Sequence, residues 1–181
     1  MSRIGLTGPP GSGKTTIAKK VVSLLNSLEC KVGGFYTPEV RVEGRRLGFQ
    51  VEDIVTGRRI WLAKRNVTSR FRVGSYGILD DAGSFMYNIL SKVLDFDFVV
   101  IDEIGPMELV FPDVRVKMRD VLSKAERYLV VYHRKLRSRH PEIYELIKRR
   151  GKTFRVDRDN RDNVWKEVES EIISMCKSIE V

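Results

Sequence analysis

Apolar positions along the chain keep two rhythms. Arg3-Ile4-Gly5-Leu6-Thr7 is a short strand pattern that runs into a Gly/Pro-rich loop. From Thr15 to Leu28 apolar residues fall at Ile17, Val21, Val22, Leu24, Leu25 and Leu28, the spacing of a helix with one buried face. Lys31 to Thr37 reads as a second strand, stopped by Pro38. Asp81–Leu94 and Asp113–Ala125 read as helices, the latter with Val114, Met118, Val121 and Leu122 on one side. Phe98-Val99-Val100-Ile101 and Tyr128 to Tyr132 are unbroken apolar runs, as strands covered on both faces require. Pro141–Arg150 is a helix opened by proline in its first turn and ended before Gly151. Thr153 to Val156 is a short strand, and Asn163 to Ile179 a closing amphipathic helix. Five strands alternating with helices predict an α/β fold, a parallel sheet wrapped by helices.

Residues 39–73 break this rhythm. Val40-Arg41-Val42 and Leu47 to Val51 flank Glu43-Gly44-Arg45-Arg46, and Thr56-Gly57 precedes Arg59-Ile60-Trp61-Leu62. Short alternating runs between glycine turns predict an antiparallel β-meander, here an insertion at 39–73 within one domain spanning 1–181. A chain of 181 residues buries about 70% of its unfolded surface, so it needs no disulfide staples.

Composition excludes several classes. No apolar run approaches the roughly 18 residues of a membrane span, and the N-terminus lacks the apolar core of a signal peptide. Two cysteines, Cys30 and Cys176, exclude a disulfide scaffold and a four-cysteine zinc site, and fit a reducing cytoplasm. The net charge of +9 calls for a polyanionic partner. Residues 41–72 carry nine basic against three acidic side chains and residues 127–155 ten against two, whereas 73–126 are acidic on balance. Both signs side by side fit a nucleoside triphosphate with a cation better than nucleic acid.

The chemistry is concentrated in two motifs. Gly8-Pro9-Pro10-Gly11-Ser12-Gly13-Lys14-Thr15 fits the phosphate-loop pattern G-x-x-x-x-G-K-[ST]. Glycines let backbone N–H groups close on phosphate oxygens, and the following helix adds its positive end. Lys14 then serves the β- and γ-phosphates, and the Thr15 hydroxyl a Mg²⁺ ion. A second motif must supply a carboxylate from a neighbouring strand, and Phe98 to Glu103 does so. Asp102 is the expected metal ligand. Glu103 is the expected general base, orienting and polarising the attacking water. The nucleotide-contacting set is Gly8 through Thr16, Thr16 included, together with Ile101, Asp102, Glu103, Ile104 and Gly105.

These motifs, with Gly34 to Arg41, Val73-Gly74-Ser75-Tyr76 and Asp102 to Leu109, resemble the small THEP-type nucleoside-triphosphatases of thermophilic bacteria and archaea and their animal relatives, the cancer-related nucleoside-triphosphatases. The resemblance covers nearly the whole chain. It implies a RecA-like P-loop fold, with Tyr128 to Tyr132 between the phosphate-loop strand and the Asp102 strand. It also implies slow hydrolysis of several nucleoside triphosphates with little base preference. In that fold His133 and Arg134 point toward the γ-phosphate.

The basic segments offer further catalytic candidates. An arginine near the transferred phosphoryl group stabilises its spreading charge, and Arg134 and Arg137 lead among Arg134, Lys135, Arg137 and Arg139. His133 is either a γ-phosphate contact or an ordinary loop histidine. Arg41 either faces the triphosphate or pairs with Glu39 or Glu43. Two rival readings stand beside the triphosphatase. A P-loop kinase would need no Glu103. An RNA- or DNA-binding module would use the basic segments with Phe49, Trp61 and Phe71, though those aromatics equally suit packing of the meander.

Overall fold

The structure, a computed structural model, describes residues 2–177; of the closing helix reading, Ile179 lies outside the described residues. The first half contains β1 (Arg3–Thr7), α1 (Lys14–Ser27), β2 (Val32–Tyr36), β3 (Glu39–Val42), β4 (Arg45–Asp53), β5 (Arg59–Arg65), β6 (Phe71–Val73), β7 (Tyr76–Ile78) and α2 (Asp81–Leu90). The second contains β8 (Phe98–Ile104), α3 (Pro112–Lys124), β9 (Tyr128–Tyr132), the one-turn helix α4 (Leu136–Arg139), α5 (Pro141–Arg150), β10 (Lys152–Arg155) and α6 (Arg161–Lys177).

The strands form one sheet in the order β10-β1-β9-β8-β2-β4-β5-β7-β6, with β3 paired to β4. The five strands of the α/β rhythm are mutually parallel, and β9 separates β1 from β8. The antiparallel strands continue the same sheet: Phe35 of β2 lies opposite Asp53 and Tyr36 opposite Glu52 of β4.

Side-chain alternation sorts the core into two layers. Phe98 and Val100 of β8, with Leu129 and Val131 of β9, pack toward α1 and α6. Val99 and Ile101, with Tyr128, Val130 and Tyr132, pack toward α2, α3 and α5. Both faces are covered, which is why these strands are apolar throughout. The aromatic residues of the antiparallel strands serve packing: Phe71 meets Phe111 edge-on, and Phe49 meets Tyr76.

Two helices differ from the pattern. The helix expected to reach Leu94 ends at Leu90, where the Ser91 hydroxyl back-bonds to the Tyr87 carbonyl and Val93–Asp95 tightens into a 3₁₀ turn. The basic stretch after β9, for which no element is expected, forms α4, with Leu136 buried in the core. The thiols Cys30 and Cys176 meet with Sγ atoms 3.4 Å apart, joining α6 to the turn after α1. Among the described residues no helix is long and apolar enough to cross a membrane.

Candidate active site

Parallel register assembles the site. Tyr36 of β2 lies opposite Asp102 of β8, Asp102 opposite Val131 of β9, and Val131 opposite Leu6 of β1. The residues at and just beyond the strands' carboxyl ends therefore emerge at one edge: Thr37, Glu103, His133 and the phosphate loop. Sites in open α/β sheets form at this carboxyl edge.

Gly8, Gly11 and Gly13 hold φ angles of 147°, 72° and 103°, which turn the loop in a path that L-residues avoid. A Cβ on Gly8 would also sit 2.0 Å from the Val156 carbonyl oxygen, so the loop has no room for one. Ser12 is buried, Pro9, Pro10, Thr15 and Thr16 are not. Lys14 Nζ donates to the carbonyls of Gly8 (3.0 Å) and Pro9 (2.7 Å) and lies 3.4 Å from Ser12 Oγ. Burial lowers the Lys14 pKa, while the charges of Glu103 and Asp102 pull it back up. The ammonium thus sits in the cradle that the motif prescribes.

Asp102 is 3% exposed. Burial raises its pKa to about 6, against the Thr15 side-chain hydrogen bond and the charges of Lys14 and Lys19. Its Oδ2 is buried and accepts no hydrogen bond from the described residues. Thr15 and Asp102 are therefore in contact, with one carboxylate oxygen left over. That donor pair, one hydroxyl and one carboxylate oxygen, fits a Mg²⁺ ion, which takes few protein ligands beside substrate phosphates. The neighbouring Ile101 and Ile104 are fully buried and hold the strand in the core.

Glu103 is less buried. Burial, then the Asp102 charge, raises its pKa to about 7, while Lys14 lowers it. The Asp102–Glu103 peptide bond is cis, and the β8–β9 ladder shifts register between Asp102 and Ile104. The Glu103 N–H donates to Thr37 Oγ1 at 3.1 Å. A third carboxylate, Glu108, is 4% exposed. Burial, then the Glu103 charge, raises its pKa to about 8, while hydrogen bonds from its own N–H, the Gly105 N–H and the Thr37 hydroxyl act the other way.

His133 N–H donates to the Ile104 carbonyl at 2.9 Å, and a Cβ on Gly105 would lie 3.3 Å from His133 Cβ. The Lys135 N–H donates to His133 Nδ1 at 3.1 Å. Burial and then the charges of Lys135, Arg134, Lys14 and Arg139 lower its pKa. The ring is therefore neutral at pH 7, with its proton on Nε2.

The arginine candidates separate. Arg134 is exposed next to His133 and has no ion pair among the described residues. The Arg137 guanidinium stacks 6.0 Å from the Tyr144 ring centre. Arg41 pairs with Glu39 and donates to the Gly44 carbonyl at 3.0 Å, so its own hairpin holds it. Most other basic groups of the antiparallel strands are engaged likewise. Arg46 pairs with Glu39 and stacks on Phe49, Arg59 pairs with Glu52, and Lys64 stacks on Trp61.

Sequence reasoning missed three residues here: Thr37, Glu108 and Arg161. Thr37 could have been found by pairing β2 with β8 in parallel register. Glu108 carries a weaker signal, a carboxylate among Met107, Leu109, Val110 and Phe111. Arg161, opening α6, lies along the phosphate loop, with its Cδ 3.4 Å from where a Gly13 Cβ would be. No local pattern marks it.

Comparison with known proteins identifies the family and the fold. A family described as NTPase matches residues 3–169. The nucleoside-triphosphatase THEP1 of Ignicoccus hospitalis is 42% identical over 164 residues, covering 91% of this chain and 92% of that protein. THEP1 of Saccharolobus solfataricus is 37% identical over 173 residues, covering 95% and 93%. The solution structure of a human cancer-related nucleoside triphosphatase superposes with a TM-score of 0.79 at 30% identity, covering 96% of this chain and 98% of that one. The crystal structure of THEP1 from Aquifex aeolicus gives 0.72 at 29%, covering 91% and 95%.

Proposed function

The chain belongs to the NTPase family of THEP1 nucleoside-triphosphatases and is a nucleoside-triphosphatase with a P-loop fold, and we propose that it hydrolyses ATP, GTP and other nucleoside triphosphates to the diphosphate and phosphate, with Mg²⁺ and with little selectivity for the base. The Thr15–Asp102 contact beside the phosphate loop, with Glu103 next in the chain, carries this reading. The loop amides, Lys14 and the carboxylates all address phosphate and metal, which every nucleoside triphosphate shares whatever its base. A sequence with only two cysteines and no disulfide scaffold supports a cytoplasmic location.

Gly8 to Thr16 bind the triphosphate through backbone N–H groups and the start of α1. Lys14 leaves the loop carbonyls for the β- and γ-phosphate oxygens. Thr15 and Asp102 would hold Mg²⁺, which when bound neutralises developing charge on the phosphates. Glu103, with a pKa near neutrality, takes the proton of the attacking water. His133, donating from Nε2, and Arg134 stabilise the charge on the transferred phosphoryl group. Arg161, whose side chain lies along the loop beside Gly13, adds a positive charge near the bound phosphates.

The test is phosphate release from ATP, GTP, CTP and UTP, with Mg²⁺ and with chelator, for the wild type and Glu103→Gln. Metal-dependent release from all four, lost in Glu103→Gln while nucleotide still binds, is expected. Phosphate transfer to an added nucleoside or monophosphate in preference to water would overturn the reading.

A further inference from the structure

Glu108 is the third buried carboxylate at this edge, and hydrolysis as just described gives it no task. A carboxyl group between Met107 and Leu109 is costly to bury, and an apolar residue would pack there at less expense. No basic side chain is among the groups that act on it. What it has is a set of hydrogen bonds, from its own N–H, the Gly105 N–H and the Thr37 hydroxyl.

Thr37 is the informative partner. Its oxygen accepts the Glu103 N–H at 3.1 Å, so its single hydroxyl proton is free to go to Glu108. Glu103 needs that support, because the ladder to β9 passes from Asp102 to Ile104 and changes register between them. Its N–H is held by a side chain, not by a strand carbonyl. Gly105 closes the arrangement. A Cβ there would lie 3.1 Å from Glu108 Oε2 and 3.9 Å from Glu103 Cδ, so the two carboxyl groups flank the one residue that has no side chain to keep them apart.

We propose that Thr37 and Glu108 form a hydrogen-bonded clamp that positions Glu103 for the attacking water. They are positioning residues: neither touches the triphosphate, and Glu108 acts only through Thr37 and the Gly105 turn. The inference rests on the reading of Glu103 as the base. Glu108 serves in its neutral form as well, because the carbonyl oxygen of a carboxylic acid accepts from Thr37 as a carboxylate does.

The experiment is steady-state kinetics with Mg²⁺-ATP on Thr37→Val, Thr37→Ser, Glu108→Ala and Glu108→Gln, each checked by circular dichroism and by binding of ADP. Thr37→Val is nearly isosteric and covers the case in which Glu108→Ala does not fold. Thr37→Val and Glu108→Ala are expected to lower kcat about 10- to 100-fold, the effect of misplacing a catalytic group by an ångström, with KM changed less than about threefold. Thr37→Ser and Glu108→Gln keep the acceptor or donor and should stay within about threefold of the wild type. In a Glu103→Gln background Thr37→Val should lower the residual rate by less than about twofold, since residues acting as a unit are not additive. A merely structural pair would lower the rate equally in both backgrounds, and that result overturns the clamp. So does a folded Thr37→Val enzyme with wild-type kcat. If Glu103→Gln alone keeps full turnover, the base assignment falls, and the clamp with it; if Glu103→Gln is dead and Thr37→Val is not impaired, only the clamp falls.

Discussion

The buried Glu108 carboxyl makes the stability of the nucleotide-free protein depend on pH in an unusual direction. Its folded-state pKa stands at about 8 against an ordinary 4.5. The folded state therefore holds a proton that the unfolded chain releases between these values. Stability falls where the folded state binds more protons, so the contribution is complete below about pH 4.5 and is lost as pH rises through about 8. The groups that act on Glu108 are Glu103 on β8, Thr37 after β2 and the backbone N–H groups of Gly105 and Glu108, and none supplies a positive charge to reverse the sign. At 1.36 kcal/mol per unit, full ionisation costs about 5 kcal/mol. For a chain of this size that is on the order of 10 °C in Tm. Asp102 and Glu103, raised to about 6 and about 7, add losses of the same sign.

Glu108→Gln isolates the effect, since the neutral amide carries no ionisation cost and the overall titration of a protein of net charge +9 cancels in the comparison. Thermal melts of both proteins, without nucleotide and with chelator, run from pH 5 to 9. The variant should melt near the wild type at pH 5 and on the order of 10 °C higher at pH 8.5. Parallel curves across the range, or a wild type that gains on the variant as pH rises, would refute the argument that burial dominates the three hydrogen bonds.

Other expectations follow from the same geometry. Leu62 of β5 is fully buried, so Leu62→Ala should cost about 3 kcal/mol and lower Tm by about 6–12 °C in a single transition; two separate transitions would show that the antiparallel strands do not share the core of the parallel ones. Gly34 holds a φ of 131°, and a Cβ there would lie 1.8 Å from the Val100 carbonyl oxygen. Gly34→Ala should therefore disrupt the β2–β8 pairing, and recovery of folded protein with wild-type Tm would contradict that. Because its hairpin holds Arg41, Arg41→Ala should change kcat less than about twofold, whereas Arg134→Ala should lower it about tenfold or more; the reverse order would exchange their roles.

The features legible in the sequence are those whose signal is local. A phosphate loop is one continuous stretch of backbone, so Gly8 to Thr15 carries its own geometry. The run from Phe98 to Glu103 announces a strand buried on both faces with two carboxylates at its end, and Pro141 and Gly151 bracket α5, proline opening its first turn and glycine following its last. These patterns also recover the five parallel strands, because a βαβ chain repeats its rhythm wherever both faces are covered. The short runs at 39–73 reveal antiparallel pairing but not their place, for the meander's own pattern contains nothing of its partner β2.

The rest depends on register between distant segments. Thr37 reaches Glu103 only because Tyr36 lies opposite Asp102 across two strands 66 residues apart in the chain. Glu108 reaches both through a turn at Gly105 that leaves room for it. Arg41 finds Glu39 in its own hairpin, and Arg161 finds Gly13 across most of the chain. The +9 charge likewise divides only in three dimensions, into arginines satisfied by carboxylates and rings and those left at the phosphate edge. Sequence by itself determined which chemistry the chain carries, because motifs are set by neighbours along the backbone. Tertiary structure decided which side chains hold that chemistry in place, because hydrogen bonds and burial are set by neighbours in space.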